Sequence, residues 1–579
     1  MDSKEKYNIK NIRKKDTKKD SAITIIALVI TVIVLLILAT VSVNALRGEN
    51  GILKRATDAK EQTHRVQEDQ EQQVQNLKDE MTNINGYNKK KNVNNPKIIT
   101  GMIPIKWKDN NWVVCSEDDV EWYNYDKTKK WANVMLSDGK YKSGSVQEGQ
   151  IVSEQDLGSM YVWIPRYAYQ IMGEKNIKIT FLKGNTNQGS DGTIYTTDEN
   201  TDTTQKGIVH PGFNLGGTKL KGFWVAKFEA SGTDKNGNAV GNASSISSAQ
   251  QYAPDDTTVA ESLPNKISWR HISIGESEKR CMDIATTSKE IFKLDDGSSH
   301  LIKNSEWGAV AYLCYSEYGN IPMINGTGIV SNSGYWYDLY TGQGPKASND
   351  EGYYNYNKSH NYNTENGVLA STTGNITGVY DMSGGAWERV AGYLDNENAN
   401  LNSFGNSKDE IIKYFENGKL KSEYANLWDS YEVSNEEKND EITISNGAII
   451  KGLWDWNKRD KNYQEARLKI TKYNFDQMSK HKGIGINEIT NSFSFYAPYS
   501  AENSSKPWGY FITADEAVAG TQHYGEAWDN DLVLIGHQGS PFIIRGGGCH
   551  YNKSAGVLCS NVTNGIDAYH HGFRAVLIL

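Results

Sequence analysis

Apolar and polar positions divide the chain into an apolar N-terminal run, a polar helical segment and a long strand-rich body. Residues 22–43 read AITIIALVITVIVLLILATVSV and contain no charged side chain. This run of 22 residues exceeds the roughly 20 that a helix needs to cross a bilayer core. The pattern therefore predicts a transmembrane helix at 22–46, in contact with the lipid bilayer.

The charges beside this run set its predicted orientation. Eight Lys or Arg residues precede it, against four acidic residues, in the basic leader 1–21. An excess of Lys and Arg marks the cytoplasmic side of a transmembrane helix. We therefore expect a single-pass cell-membrane protein with an extracellular C-terminal domain, as on a Gram-positive-type bacterial surface.

A polar segment with helical spacing follows the apolar run. Residues 56–84 are rich in Gln, Glu and Lys and contain no Gly or Pro. The segment 47–95 is therefore predicted to be a helical stalk and linker. A thin apolar stripe recurs in it at near-helical spacing, formed by Val66, Val74, Leu77, Met81 and Ile84.

Short alternating strands separated by Asn, Asp and Gly turns are typical of the rest of the chain. Residues 96–155 are expected to form a small β module. Over 156–579 the apolar runs lengthen, as in YVWIPRYAYQI and GFWVAKFEAS. Within this body the charge-rich stretch at about 395–510 is predicted to be an insertion with its own helices, such as one near 460–480.

Net charge, cysteine count and the absence of common catalytic motifs limit the functions that the sequence supports. The net charge of −8 and the pI of about 5.9 give no reason to expect nucleic-acid binding. The five cysteines are odd in number and none forms a CxxC pair, so they are not a disulfide framework. The sequence contains no GxSxG, HExxH or P-loop motif. We therefore predict a protein that is not an enzyme and holds no cofactor or metal.

Five motifs in a fixed order carry a family resemblance. They are FWVAKFE at Phe223–Glu229, LIKNSEW at Leu301–Trp307, DMSGGAWE at Asp381–Glu388, RGG at Arg545–Gly547 and GFR at Gly572–Arg574. This set resembles the formylglycine-generating-enzyme-like (sulfatase-modifying factor) branch of the C-type-lectin fold. The resemblance implies an α+β fold class, with a C-type-lectin-like domain at 156–579 preceded by the long N-terminal transmembrane and stalk helix.

The same resemblance raises a catalytic alternative. Enzymes of that family hold copper with a close cysteine pair that follows the RGG motif. Here Cys549 follows Arg545 closely, but Cys559 lies ten positions further on. This spacing departs from the family's pair and puts copper binding in doubt. An oxidising or modifying enzyme of the formylglycine-generating kind, using Cys549 and Cys559, stays as an alternative to a binding function.

The N-terminal region resembles a second family. The basic leader, AITIIALVITVIVLLILA and LRGENGILKRATDAKEQT together are similar to the prepilin-type N-termini of Firmicutes surface proteins. In that family a Gly precedes the cleavage point and a Glu lies early in the mature helix, whereas this chain has Ala22 and Ala27 there. The resemblance implies export and anchoring, with pilus-like self-assembly or a structural minor-pilin role as alternatives.

The C-terminal tail has an unusual composition. From Ser554 to Leu579 there is no Lys, Glu, Gln, Met or Trp, the residue types that no codon ending in a pyrimidine encodes. This pattern resembles the variable region of diversity-generating-retroelement target proteins and implies a variable region at 545–574. An ordinary polar loop that faces a ligand is the alternative.

Both interpretations place the same residues at the surface. They predict a ligand-binding or adhesion protein that displays its tail to an unidentified extracellular protein or glycan. Tyr, His, Asn, Asp and Ser are adaptable contact formers, as in antibody loops. The predicted contact residues are His550, Tyr551, Asn552, Asn561, Thr563, Asn564, Asp567, Tyr569, His570 and His571.

Overall fold

The computed structural model describes residues 95–579, with gaps. The chain forms two compact units, residues 1–90 and 91–579, and the described residues belong to the second. The predicted leader, transmembrane helix and prepilin-like region lie outside the described residues, as does the stalk up to residue 94. The gaps within 95–579 are 126–127, 174–175, 199–202, 204, 242–252, 321–338, 346–357, 396–413, 417–418, 433–440, 444–448, 452–494, 498–509, 513–541 and 549–554.

Strand is the commonest regular secondary structure in the described residues, and this corrects the predicted fold class. The prediction of an α+β protein led by a long N-terminal transmembrane and stalk helix is wrong for the described residues, none of whose helices is long and apolar. The apolar runs of the body are rich in aromatic and β-branched residues, which favour strands. The α-helices among the described residues are short: α1 (Ile274–Asp283), α2 (Lys289–Phe292) and α3 (Asn304–Cys314).

The predicted localisation is also contradicted. Crossing a bilayer takes about 20 apolar helical residues, and no helix in the described part of the chain is long and apolar enough to do so. The longest of them, α3, has 11 residues. The prediction of a single-pass cell-membrane protein is contradicted on this finding, which concerns the described residues alone.

The largest sheet is antiparallel. Its strands run in the order β12-β24-β11-β5-β3-β1-β2-β4, with bounds β1 (Met102–Lys108), β2 (Asn111–Val114), β3 (Asn133–Leu136), β4 (Ile151–Val152), β5 (Met160–Pro165), β11 (Gly222–Ala226), β12 (Ser298–Leu301) and β24 (Ala575–Ile578). Strands β5, β11 and β24 are buried along their whole length, which explains their continuous apolar sequences. The strands of 96–155 thus share one sheet with the last strand of the chain.

A second sheet carries the tail. Its strands are β13 (Trp387–Asp395), β16 (Asp429–Glu432), β21 (Phe542–Arg545), β22 (Ser560–Thr563) and β23 (His571–Phe573). Strand β13 is central, because it pairs antiparallel with β21 and parallel with both β16 and β23. Strand β21 also pairs antiparallel with β22. Three of the five family motifs therefore meet here, since Glu388 lies opposite Arg545 and Gly572.

The other described strands form small sheets. One has three strands: β6 (Tyr167–Gly173), β7 (Asn176–Phe181) and β8 (Ile208–Val209). The two-stranded pairs are β9 (Asn214–Leu215) with β10 (Thr218–Lys219), β14 (Phe415–Glu416) with β15 (Lys419–Leu420), β17 (Glu441–Thr443) with β18 (Ile449–Lys451), and β19 (Phe495–Ala497) with β20 (Tyr510–Ile512). Short 3-10 helices lie at Glu154–Asp156, Pro211–Phe213, Lys358–His360, Gly367–Ala370 and Ser422–Leu427.

The predicted insertion at 395–510 contributes strands β14 to β19 to this architecture. Its predicted helix near 460–480 lies outside the described residues. Strand β16 ties the insertion to the second sheet through its pairing with β13.

Helix α3 connects the core to the beginning of the C-terminal tail. All of its residues are buried. At its start the carboxylate of Glu306 accepts the N–H of Lys303 at 2.9 Å, which satisfies one of the donors that a helix N-terminus leaves free. Trp307 donates its indole N–H to the Val557 carbonyl at 2.7 Å. The core helix is thereby linked directly to the chain just before β22.

Candidate binding surface at the C-terminal tail

Residues 564–570 join β22 to β23 and are called the tail loop below. Before the loop, Asn561 of β22 pairs with Ile544 of β21. At its end, the N–H of Trp387 on β13 donates to the His570 carbonyl at 2.9 Å. Both ends of the tail loop are therefore fixed to the second sheet.

Main-chain donors outside the loop hold its middle to the segment around the start of α1. The N–H of Ile274 donates to the Gly565 carbonyl at 3.0 Å, and the N–H of His271 donates to the Ala568 carbonyl at 3.2 Å. The N–H of His571 donates to the same Ala568 carbonyl at 3.1 Å. Buried carbonyl groups need such partners, and these bonds use no side chain of the tail loop.

Two buried arginines add side-chain donors to the same row of carbonyls. Arg389 on β13 donates from Nε to the Ile272 carbonyl at 2.8 Å and from Nη2 to the Ile566 carbonyl. Arg270 donates from Nη1 to the Tyr569 carbonyl at 2.9 Å. Both arginines are 0% exposed. Both arginines lie outside the tail loop and bond its backbone carbonyls, so these bonds do not depend on the loop's own side chains.

The loop begins with a tight turn. The Thr563 hydroxyl accepts the N–H of Gly565 at 3.2 Å, and the Asn564 side-chain oxygen accepts the N–H of Ile566 at 3.2 Å. Gly565 has φ +84°, and a Cβ there would lie 2.8 Å from the Phe542 ring. Only glycine fits this combination of left-handed backbone and close contact.

The predicted contact residues fall into three groups. Three of them, His550, Tyr551 and Asn552, lie outside the described residues. Thr563 and His571 are buried, at 7% and 5% exposure, so their side chains face the core rather than a ligand. The side chains that reach solvent are those of Asn561, Asn564, Asp567, Tyr569 and His570, of which Asp567 is the most exposed.

Aromatic and imidazole rings form a row on this surface. The Tyr569 ring lies 4.6 Å from the His570 ring and 6.3 Å from the His271 ring, between centroids. The His570 and His571 rings are 4.2 Å apart. Tyr569 and His570 thus present a half-buried ring pair of the kind that supplies contact area at low entropic cost.

Burial sets the charge beneath this surface. It lowers the pKa of His571 well below its usual value, and the neighbouring His570 imidazole and Arg389 guanidinium lower it further. Burial also lowers the pKa of Arg389 to about 9, while the Asp567 carboxylate opposes this shift. At neutral pH His571 is therefore an uncharged imidazole beside an ionised guanidinium.

A buried ionic network joins the sheets underneath. Arg574 donates from Nε to Glu388 at 2.6 Å and from Nη2 to the other oxygen of the same carboxylate. It also donates to the carbonyls of Ala226 and Tyr380, at 3.1 and 3.0 Å. This forked arrangement uses the fixed geometry of the guanidinium and ties the residue before β24 to β11 and β13.

Two further carboxyl groups complete the network. Glu229 accepts the Ser268 hydroxyl at 2.5 Å and the N–H of Ala386 at 2.8 Å. Burial raises its pKa well above the usual value, and the neighbouring carboxyl groups of Asp381 and Glu388 raise it further. Burial raises the pKa of Asp381 to about 7, although Arg574 opposes this shift. The FWVAKFE, DMSGGAWE and GFR motifs therefore meet in one scaffold network.

Comparison with known proteins gives no family for this chain. No protein-family model matches it. A search of curated proteins finds no similar one.

Arg270 and Arg389 are not among the predicted contact residues, although they hold the tail loop. Residues alternate between the two faces of a strand. Since Glu388 on β13 faces Arg574, its neighbour Arg389 faces the other way, toward the loop. The run WER in the sequence shows that Glu388 and Arg389 lie on opposite faces of a strand. It does not show that Arg389 bonds the Ile566 carbonyl, 177 positions away.

Of the two cysteines in the catalytic alternative, only Cys559 belongs to the described residues. Cys549 lies outside the described residues, and Cys559 is a buried thiol. Cys559 closes a turn, because its N–H donates to the Gly556 carbonyl at 2.9 Å. Within the described ranges, no group of three or more His, Cys, Asp or Glu side chains is placed to hold a metal ion.

Proposed function

We propose that the protein binds a protein or glycan ligand through the tail loop, with Asn564, Asp567, Tyr569 and His570 as contact side chains. One observation carries the proposal: donors outside the loop fix its backbone through carbonyl oxygens. The contact side chains are left at least partly exposed. A loop held in this way keeps its shape when the side chains at 567, 569 and 570 change, whereas Asn564 and Gly565 also shape the turn at its start.

The composition of the tail supports the same proposal. The absence of Lys, Glu, Gln, Met and Trp from Ser554 to Leu579 matches codons diversified at their first two bases and kept pyrimidine-ended at the third. We propose that the exposed positions of the tail loop are the diversified ones. The buried residues Phe573 and Arg574 belong to the frame that carries them.

A pair of libraries tests this proposal. In the first, Asp567, Tyr569 and His570 are replaced by mixtures of the residue types that pyrimidine-ending codons encode. In the matched control, the same mixtures replace the buried residues Phe542, Ile544 and Val576. We expect most members of the first library to fold and most members of the second to fail, because surface changes away from structural features usually cost within about 0.5 kcal/mol.

Folded members of the first library, and the parent, are then tested on protein and glycan arrays. We expect individual members to bind different targets, with the strongest losses in the parent on Tyr569→Ala, since aromatic contacts dominate interface energies. A first library that unfolds as often as the control would refute the exposed-loop geometry. A folded library without a single binder, together with a parent that binds nothing, would refute the binding function.

A further inference from the structure

Arg389 stands at the junction of three segments. It lies on β13, its Nε bonds the Ile272 carbonyl before α1, and its Nη2 bonds the Ile566 carbonyl in the tail loop. Its side chain is 0% exposed. One rigid guanidinium therefore spans two loops that come from regions of the chain almost 300 residues apart.

We propose that Arg389 is the positioning residue of the tail loop, setting the spacing between the loop and the segment that carries His271. This proposal extends the proposed function: Arg389 matters for ligand binding only if the tail loop binds a ligand. Both acceptors are backbone carbonyls, so the contact stays the same whatever side chains the loop displays. Arg389 thus supplies what a binding loop of variable sequence needs, a fixed backbone position.

The chemistry of the contact requires arginine. A planar guanidinium presents donors in a fixed fork and can reach two carbonyls at once, whereas a lysine ammonium is a single point of charge. The electrostatic surroundings of Arg389 are compatible with a charged guanidinium. Of the neighbouring charged or titratable groups, Asp567 favours its charge, and His571 is held neutral.

The simpler alternative is that Arg389 merely fills the core. Arg166 allows the two roles to be distinguished. It is also buried, at 2% exposure, and it donates to backbone carbonyls at Thr186 and Phe213, at 3.0 and 2.8 Å. It therefore has the same kind of bonds as Arg389, but none to the tail loop.

Hydrogen exchange measured by mass spectrometry on the full chain tests the assignment without any ligand. Three variants are compared with the parent: Arg389→Met, Arg389→Lys and the matched control Arg166→Met. The informative peptides cover 266–276 and 564–574, which contain the protected N–H groups of His271, Ile274 and His571. Peptides from β5 and β11 report the stability of the whole domain.

We expect Arg389→Met to speed exchange in the two informative peptides by about 10-fold or more relative to β5 and β11, since a lost charged hydrogen bond frees local opening. Arg389→Lys keeps the charge but loses the fork, and we expect an intermediate increase confined to the same peptides. Arg166→Met is expected to leave the ratio between tail and core peptides unchanged.

Two results would overturn the assignment. One is an equal increase in tail and core peptides for Arg389→Met, as in the Arg166→Met control. The other is failure of both Arg389 variants to fold, which would make Arg389 a residue of the general core. Neither result bears on whether the parent binds a ligand, so failure of this proposal and failure of the proposed function are separable.

Discussion

At the scale of single residues, the buried network around Arg574 shows how one guanidinium organises several carboxyl groups. Glu388 forms the forked ion pair with Arg574. Glu229 instead accepts bonds from neutral donors, Ser268 and Ala386. Burial raises the pKa of both glutamates, and for Glu388 the ion pair with Arg574 opposes that shift. Two residues of one type, both fully buried, therefore differ in the partners that stabilise them.

This difference predicts unequal costs for one substitution at two sites. Glu388→Gln leaves the buried charge of Arg574 without its forked ion pair, and we expect a loss of about 3–5 kcal/mol in the free energy of unfolding. Glu229→Gln keeps an acceptor for the Ala386 N–H, so we expect a loss below about 1.5 kcal/mol. Urea unfolding of the two variants checks this, and equal losses would contradict the different roles given to the two carboxyl groups.

The same network predicts a pH dependence. Burial raises the pKa of Asp381 to about 7, above the value of about 4 expected in an unfolded chain. The folded state therefore takes up a proton between these values, and the stability it gains is lost as the pH rises through about 7. We expect Asp381→Asn to remove this slope between pH 5 and 8 in urea titrations.

The expected signal is a difference between Asp381→Asn and the parent, because His571 contributes a slope of the opposite sign. Its lowered pKa means that the unfolded chain binds the proton, so stability falls as the pH drops below about 6.5. Asn suits the position, since Asp381 has φ +60° and Asn tolerates the left-handed region. Parallel pH profiles for variant and parent would exclude titration of Asp381.

Exposed and buried rings near the tail loop are expected to respond differently. Tyr569 is half-exposed, and we expect Tyr569→Ala to change the free energy of unfolding by no more than about 1 kcal/mol. Trp387 on β13 is 1% exposed, and Trp387→Ala should cost about 3–5 kcal/mol. Thermal melting checks the pair. If Tyr569→Ala is as damaging as Trp387→Ala, the tail loop is part of the core.

At the scale of elements, the tail loop depends on one close approach between β21 and α1. Gly565 lies where a Cβ would meet the Phe542 ring at 2.8 Å and the Ile274 side chain at 2.9 Å. Its φ of +84° is also left-handed. Two separate costs therefore fall on any other residue at this position.

Gly565→Ala is predicted to cost more than the same change at a glycine with open surroundings. Gly217, in the β9–β10 turn, has φ +93°, and a Cβ added to it would have nothing within 4 Å. We expect Gly217→Ala to cost about 1–2 kcal/mol from backbone strain alone, and Gly565→Ala to cost about 1–3 kcal/mol more from the clash. Equal melting temperatures for the two variants would show that the loop can move away from Phe542.

The positions of the strands and helices show which elements the sequence patterns predicted correctly. The apolar runs YVWIPRYAYQI and GFWVAKFEAS lie at β5 and β11, because continuous apolar residues favour strands. The LIKNSEW motif lies at the start of α3. The polar residues of the tail were all expected at the surface, yet Thr563 and His571 are buried. Their polarity alone could not reveal that the loop turns them inward.

At the scale of the whole molecule, the two ends of unit 91–579 belong to one sheet. The final strand β24 lies between β11 and β12, where Trp224 pairs with Leu577 and His300 pairs with Val576. The same strand follows directly on Arg574 and its buried network. The largest sheet can therefore be completed only after the last residues of the chain are present.

Removal of residues 575–579 is accordingly predicted to prevent folding. It deletes an inner strand and exposes the unpaired edges of β11 and β12. Removal of residues 1–90 takes away a separate unit, and we expect fragment 91–579 to fold. Circular dichroism and soluble yield of the two truncations check this. A folded 1–574 chain would contradict the role given to β24.

The sequence by itself determined the local elements, because the spacing of apolar residues fixes which segments become strands and which face each residue takes. It also marked the tail by its composition. Only the tertiary structure decided which strands pair, since the pairing of Trp224 with Leu577 joins residues far apart in the chain. It likewise decided that Arg389 reaches the tail loop and that Glu229 and Glu388 have different partners. These pairings and contacts depend on which residues meet in space and how deeply they are buried, and the order of residues along the chain does not give either.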